Sequence, residues 1–291
     1  MTFLKRMGIF LLTNLLVMFA IGIIVNLLGI RMDGLWGLLT ICALFGMGGS
    51  FISLMISKSM AKWSYKIQII QPGNANTKAA YLLNTIDAMA SAQGIKTPEV
   101  GIYNSPDANA FATGASQNSA LIAFSSGIID KLNEDELAAV AGHELSHITS
   151  GDMVTMTLLM GIVNTFVMFF ARIIGDIVDR VVLKNEDGRG IGYFVATIAA
   201  ELVLGLLAST IVMWFSRRRE FRADEAGADL AGKQAMIGAL NRLRAEQNIE
   251  SEMPKALIAF GINGGLKEGL AALFMSHPPL EVRIAALQQR N

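Results

Sequence analysis

One cysteine and three histidines are all that this 291-residue chain offers a soft metal or a redox pair. A lone thiol, Cys42, excludes both an internal disulfide framework and a thiolate zinc site. It lies in an apolar run, the setting of a small buried or lipid-facing side chain, and sparse cysteine fits a reducing compartment. Charge is scarce as well: Asp, Glu, Lys and Arg make up 16% of the chain, against about 25% in ordinary globular domains. The 24 basic and 24 acidic residues cancel, so the electrostatic footprint of a nucleic-acid partner is missing and none is expected. No internal repeat and no low-complexity tract is present.

What the chain has in quantity is apolar sequence, 53% of its residues, gathered into four runs. Met7–Gly29, behind Lys5 and Arg6, is long enough for a spanning helix of about 20 residues. It exceeds the roughly 7–15 apolar residues of a signal peptide, and no small-residue cleavage site follows, which predicts an uncleaved anchor. A tight Arg31–Gly34 turn and a second run, Leu35–Ile56, complete a predicted membrane hairpin. Lys58, Lys62 and Lys66 come next, so the excess of positive charge puts both ends of this hairpin in the cytoplasm. Met153–Ile174 and Ile191–Phe215 can also cross, with a polar stretch of mixed sign, Gly175–Gly190, between them. Arg217, Arg218 and Arg219 mark the far end of the last run as cytoplasmic. Core helices of a soluble domain are the alternative for this second pair, and Glu201 in mid-run favours that alternative. A carboxyl at such depth is costly, and the expectation is a neutral Glu201 hydrogen-bonded to a neighbouring helix.

From Trp63 to Ser150 the chain reads as soluble. Thr77–Gln93 is a predicted helix, with Asn76 or Thr77 as its cap and Gly94 just past its end. Glu99–Asn104, Ala108–Thr113 and Ser119–Ser125 read as short strands between turn residues. After the fourth run, helices are predicted over Arg217–Ala231 and Gln234–Gln247, in shorter pieces around Ala256 and Leu270, and over Leu280–Arg290 behind Pro278 and Pro279.

Two of the three histidines stand at ligand spacing. His143, Glu144 and His147 form an H-E-x-x-H pattern, and positions four apart share one face of a helix. Both imidazoles can then face one metal ion, with Glu144 rotated off their axis where a general base belongs. Asn133 and Glu136 make a capping-box pattern, Glu134 and Asp135 complement the helix dipole, and Gly151 is a plausible stop. The fold class expected is therefore a mainly α integral membrane protein, four transmembrane helices plus a cytoplasmic zincin-like α+β catalytic domain with a small β-sheet. Its segments are an N-terminal hairpin (1–57), a first catalytic part (58–152), a second hairpin (153–215) and a second catalytic part (216–291).

A catalytic zinc takes three protein ligands and keeps one position open. A third histidine six residues after His147 would complete one known pattern, but that residue is Met153, so the remaining solution is a downstream glutamate. Glu220 and Asp224 lie four apart, the spacing at which one binds metal while the other accepts a ligand histidine's second N–H. Spacing alone leaves this reading level with a charged, solvated helix. Topology favours it, since Glu220 follows the fourth run on the same side as His143. His277, the remaining histidine, sits beside two prolines in a loop.

With these residues named, the chain resembles the HtpX-type membrane zinc metallopeptidases, a bacterial heat-shock protease family related to the CAAX prenyl proteases. The resemblance rests on Asn109-Ala110-Phe111-Ala112-Thr113-Gly114, His143 to His147 followed by Gly151-Asp152, Glu220 with Asp224, and Ser276-His277-Pro278-Pro279-Leu280. It implies that one Zn2+ per subunit is held by His143, His147 and Glu220, with Glu144 as base and Asp224 behind the ligands. It further implies that Asn109–Thr113 is a strand pairing with substrate, and that His277 hydrogen-bonds the developing oxyanion. The role implied is cleavage of misfolded membrane proteins, with self-cleavage, at the cytoplasmic face of the bacterial inner membrane, both termini inside. A CAAX-type processing peptidase is the rival within enzymes, though few spans argue against the large membrane chamber it needs. A scaffold or transporter is the rival outside them, but a transporter is expected to carry repeats or several intramembrane charges.

Overall fold

Three short stretches rich in β-branched, aromatic and small residues, with a two-residue strand before them, assemble a four-stranded mixed sheet. The computed structural model describes residues 34–71, 73, 77–186, 189–250 and 277–290. The run Met7–Gly29, most of the Arg31–Gly34 turn and the pieces around Ala256 and Leu270 lie outside the described residues. In chain order the elements are α1 (Gly34–Tyr65), β1 (Gln68–Ile69), α2 (Thr77–Ala92), β2 (Glu99–Tyr103), β3 (Ala110–Gly114), β4 (Ala120–Ser125) and α3 (Ser126–Lys131). There follow α4 (Glu134–Thr149), α5 (Asp152–Ile177) with a π turn at Val178–Val182, α6 (Ile191–Ala231), α7 (Lys233–Glu250) and α8 (Leu280–Gln289). By internal contacts the chain divides into two units. One takes in the described residues up to Leu54 with Thr155–Val212, the other Met55–Val154 with the described residues from Met213 on.

In the second unit the strand order is β1-β2-β4-β3. β4 runs parallel to β2 and antiparallel to β3. It is buried on both faces, which is why it reads as the unbroken apolar run ALIAFS. Ala120, Ile122 and Phe124 point to one side with Val100, Ile102, Ala110 and Ala112, and there they join the core built by α2, α4, α7 and α8. Leu121 and Ala123 point to the other side with Tyr103 and Phe111, as alternation requires. The C-terminal end of α1 packs on that second face: Tyr65 meets Tyr103 and Phe111, and Lys58 and Lys62 pair with Glu99. β1 and α3 are too short to have been legible in the sequence.

α4 is the best-buried helix. Asn133 accepts from the Glu136 N–H at 2.9 Å while Glu136 accepts from the Asn133 N–H at 3.0 Å, the reciprocal box its sequence predicts. Gly151, at φ +65°, turns the chain out of the helix as expected. α4 crosses α6 at a pair of glycines: a Cβ on Gly227 would lie 3.0 Å from the Ala139 carbonyl and 3.1 Å from the His143 nitrogen. Gly142 faces Gly227 in turn at 3.3 Å. Only hydrogen fits there, and the two backbones approach accordingly.

Among the described residues three helices are long and apolar enough to cross a bilayer, and little of their most apolar stretches is buried. Gly46 of α1 lets that helix close on Gly161 and Thr165 of α5, where a Cβ would meet Thr165 Oγ1 at 2.5 Å. Glu201 does bond to a neighbouring helix, but its partner is Arg172, at 3.2 Å, within the run Met153–Ile174. The expected hydrogen bond to a neighbouring helix is present, and its donor is a guanidinium, so the contact is also an ion pair.

The helix ends differ from those the sequence suggested. α6 continues unbroken through Arg217–Ala231, which is no separate helix, and α1 runs past Lys58 and Lys62 to Tyr65. Lys and Arg are good helix formers, so polarity changes at these points and helicity does not. α5 likewise continues into Gly175–Gly190 as far as its π turn. The remaining connection is tied down by Asp179, which accepts from the N–H groups of Gly190 and Tyr193 and from the Asn185 side chain.

Replacing Gly227 by valine is expected to destabilise the protein by about 1–3 kcal/mol through overpacking against α4. Gly205→Ala, whose new Cβ would meet nothing within 4 Å among the described residues, should leave the thermal midpoint in detergent unchanged or slightly raised.

Candidate metal centre

Three residues converge where α4 and α6 cross. His143 and His147, one turn apart, stand with ring centroids 4.9 Å apart and planes perpendicular. Their Nε2 atoms each lie 3.6 Å from a different oxygen of Glu220, His143 from Oε2 and His147 from Oε1. The three ligand-type atoms fall within 4.8 Å of one another, and all three residues are buried. Two donors bound at about 2.0–2.1 Å to one tetrahedral ion lie roughly 3.3 Å apart, so the spacing suits a single cation. Glu220 is fully buried, and among the described residues its Oε1 has no hydrogen-bond partner. An ionised carboxylate oxygen left unpaired in a protein interior is expensive, and a cation between the imidazoles would satisfy it. The residues fit a metal.

The other ring nitrogens of the histidines are held. His143 Nδ1 lies 2.9 Å from Asp224 Oδ1, and His147 Nδ1 lies 2.7 Å from Asp152 Oδ2. Asp152 accepts a hydrogen bond from His147 Nδ1–H, and Asp224 stands at ion-pair distance from His143 Nδ1. With the proton on Nδ1, a neutral ring presents Nε2 as its lone-pair nitrogen toward Glu220. Asp224 is itself gripped by Arg283, which donates from Nε at 2.7 Å and from Nη2 at 2.5 Å, a two-pronged ion pair. A third guanidinium nitrogen of Arg283, Nη1, comes within 3.7 Å of Glu220 Oε2. Burial by itself would raise the Glu220 carboxyl, but the adjacent His143 and His277 imidazoles outweigh it and hold the group far below the carboxylate range. Asp224 is lowered in the same way, burial being overcome by Arg283 and His143. One guanidinium thus faces two ionised carboxylates, a balance that a cation would redress.

Glu144, next to His143, is buried on the same helix. His277 lies just ahead of α8, with Nδ1 2.7 Å from Glu220 Oε2 and 59% of its side chain exposed. The loop histidine therefore reaches the site, attached to Glu220. Ala110 to Thr113 lie in β3, the edge strand, and Asn109 leads into it with its N–H on the Ser125 hydroxyl. Asp152 and Arg283 were missed as participants. For Arg283 a signal existed: Leu280, Arg283, Ile284 and Leu287 form one buried stripe on α8 at helical spacing, and an arginine in an apolar stripe needs a buried partner. For Asp152 the hints were its place five residues after His147, at the first turn of α5, and its presence in the Gly151-Asp152 motif, neither of which assigned it a role.

A buried H-E-x-x-H helix, a glutamate from a second helix and a small sheet with an open edge, in a chain with membrane-length helices, define a membrane-bound metallopeptidase. The model of peptidase family M48 matches residues 76–291. The chain is 58% identical over 290 residues to Protease HtpX of Stutzerimonas stutzeri, covering 98% of this chain and 99% of that protein. It is 56% identical over 295 residues to Protease HtpX of Pseudomonas putida, with the same coverage of both. Its fold is similar to the crystal structure of S. mikatae Ste24p, at a TM-score of 0.65 and 19% identity, over 98% of this chain and 67% of that one. The chain belongs to peptidase family M48, and it is a metalloendopeptidase.

Asp152→Ala is expected to weaken metal binding by about 10–100-fold, because His147 loses the group that orients its ring; competition against a chromophoric chelator reads this directly. In protein stripped of metal, burial opposes the protonated form of His143, but Asp224 and Glu220 outweigh it and raise the imidazole from 6.5 to about 9. A raised histidine stabilises fully below pH 6.5 and progressively less as pH climbs to about 9. Chelated protein should therefore lose thermal stability across that window, and metal-loaded protein, whose His143 carries no such proton, should not.

Proposed function

We propose that the chain is a zinc-dependent endopeptidase that cleaves misfolded or damaged membrane proteins at the cytoplasmic face of the bacterial inner membrane. One observation carries the chemistry: two imidazoles and one buried carboxylate converge with their lone pairs inward, beside a glutamate on the same helix. When bound by His143, His147 and Glu220, zinc would supply a water activated at about neutral pH and polarise the scissile carbonyl. Glu144 takes the proton from the attacking water and passes it to the departing amine. His277 is anchored to Glu220 through Nδ1, and as an imidazolium, the form in which both ring nitrogens donate, it would donate from Nε2 to the oxyanion as charge develops there. Asp224 and Asp152 keep the histidines in the tautomer that leaves Nε2 free.

The substrate backbone pairs with β3. An edge strand offers its main-chain groups regardless of the partner's side chains, which suits a protease that meets many sequences. The cytoplasmic orientation is supported by Lys58 and Lys62 near the end of α1 and by Arg217, Arg218 and Arg219 past the apolar part of α6. All five belong to the unit that carries the candidate metal site. Self-cleavage follows from the same broad selectivity, since exposed segments of a second copy would also be substrates.

Glu144→Gln should keep its metal, verified by elemental analysis, and lose peptide hydrolysis by about 10²–10⁴-fold. Wild-type protein treated with a chelator should lose activity and regain it with Zn2+; metal-loaded Glu144→Gln cutting at the wild-type rate would remove Glu144 as the base. Equal rates on prenylated and unprenylated peptides separate this reading from CAAX-type processing.

A further inference from the structure

β3 alternates small and large: Ala110, Phe111, Ala112, Thr113. The two alanines face the core that contains the metal helix. Phe111 faces the opposite way, and its neighbour across the ladder is Ala123 of β4. On β2 the residue across from Ala123 is Gly101, and Tyr103 stands opposite Ser125. With only a methyl and a hydrogen at the first pair, the Tyr103 ring comes diagonally to within 5.8 Å of the Phe111 ring. Tyr65, the last residue of α1, closes over both, with centroids 5.2 Å from Tyr103 and 5.4 Å from Phe111. The three rings tilt on one another at 47–57°, the arrangement aromatic quadrupoles favour. Tyr103 is almost wholly buried, whereas Tyr65 is 38% exposed and Phe111 is half-buried. Among the described residues β3 has no strand on its outer side.

A peptide laid along β3 would direct its side chains alternately to the two faces. On the metal side it meets alanines, which leave room for the bond being cut. On the other side, the residue opposite Phe111 comes within about 4.5–5.5 Å of it, Cβ to Cβ, beside Tyr65. We propose that Phe111, Tyr65 and Tyr103 form a subsite for one apolar side chain, aromatic or branched aliphatic, of the substrate strand. The proposal rests on substrate pairing with β3 and adds a side-chain preference to it. The rings have few torsions to freeze, so little conformational entropy opposes the contact. A segment of membrane protein, rich in such residues, supplies that side chain often.

The test uses the full-length, metal-loaded protein in detergent. Peptides that differ at one position, carrying Phe, Leu, Ser or Lys, are scanned through the positions flanking the cleaved bond. Wild type should prefer Phe and Leu over Ser at one position by 10-fold or more in kcat/KM, within the range an apolar pocket achieves. Phe111→Ser should bring that ratio close to one, and Phe111→Leu should retain most of it. If Phe111→Ser fails to bind metal, Tyr65→Ser, at the open lip, carries the same readout. A ratio unchanged in both serine variants overturns the subsite. A separate arm uses peptides N-methylated at the pairing amides: loss of cleavage supports strand pairing. Undiminished cleavage overturns strand pairing, and with it the register that sets a side chain against Phe111, whatever the ratio in the serine variants.

Discussion

A carboxylate sealed inside protein with one oxygen unpaired is a high-energy arrangement, and the catalytic unit is organised around making it tolerable. Glu220 has no exposure to solvent, and its Oε1 has no hydrogen-bond donor among the described residues. Around it stand two imidazoles, a third histidine and a guanidinium, all presenting nitrogen. Every element of the unit that matters for chemistry is connected to this point: α4 through His143 and His147, α6 through Glu220 itself, and α8 through Arg283. A divalent cation in the middle turns an electrostatic liability into a binding site, which is how low-dielectric interiors hold metals.

Holding that geometry requires two devices. The first is steric: Gly142 and Gly227 let α4 and α6 approach until backbone nearly meets backbone. Any side chain at Gly227 would lengthen the distance from Glu220 to the histidines, and metal distances tolerate only a few tenths of an ångström. The second is a layer of ion pairs behind the ligands. Asp224 orients His143 and is locked by Arg283, and Asp152 orients His147. Asp152 belongs to the first turn of α5 and Arg283 to a helix beyond a long intervening segment. Residues far apart in the chain therefore share control of one ligand set, and His277 adds a polar donor at the open side.

The length of the helices has its own physical lesson. α1, α5 and α6 do not end where hydrophobicity ends. Bilayer thickness limits the apolar run, whereas helicity depends on propensity and on the absence of breakers, and lysine and arginine propagate a helix well. The same helix can thus expose apolar side chains at one end and carry a buried candidate metal ligand at the other, as α6 does with Leu202 and Glu220. Arg172 and Glu201 show a related economy, a charge pair between neighbouring apolar helices where a single carboxyl would be costly.

Periodicity and spacing alone were enough to read α4, its capping box and its Gly151 exit, three of the four strands to within two residues, and the three membrane-length helices among the described residues. These features depend on interactions within about one helical turn or along one strand, and such interactions are written locally. The pairing of His143 with His147 was legible for the same reason. What only the tertiary structure decided was which distant groups meet. Glu220 could be named as a candidate, but its burial, its orphan oxygen and its contact with His277 depend on a helix crossing set by two glycines. Asp152 and Arg283 acquire meaning only from their partners, and the aromatic trio exists because strand order brings β2, β4 and β3 side by side, with only a hydrogen and a methyl at Gly101 and Ala123. Long-range contacts are selected by packing of the whole chain, and no short stretch of sequence contains that information.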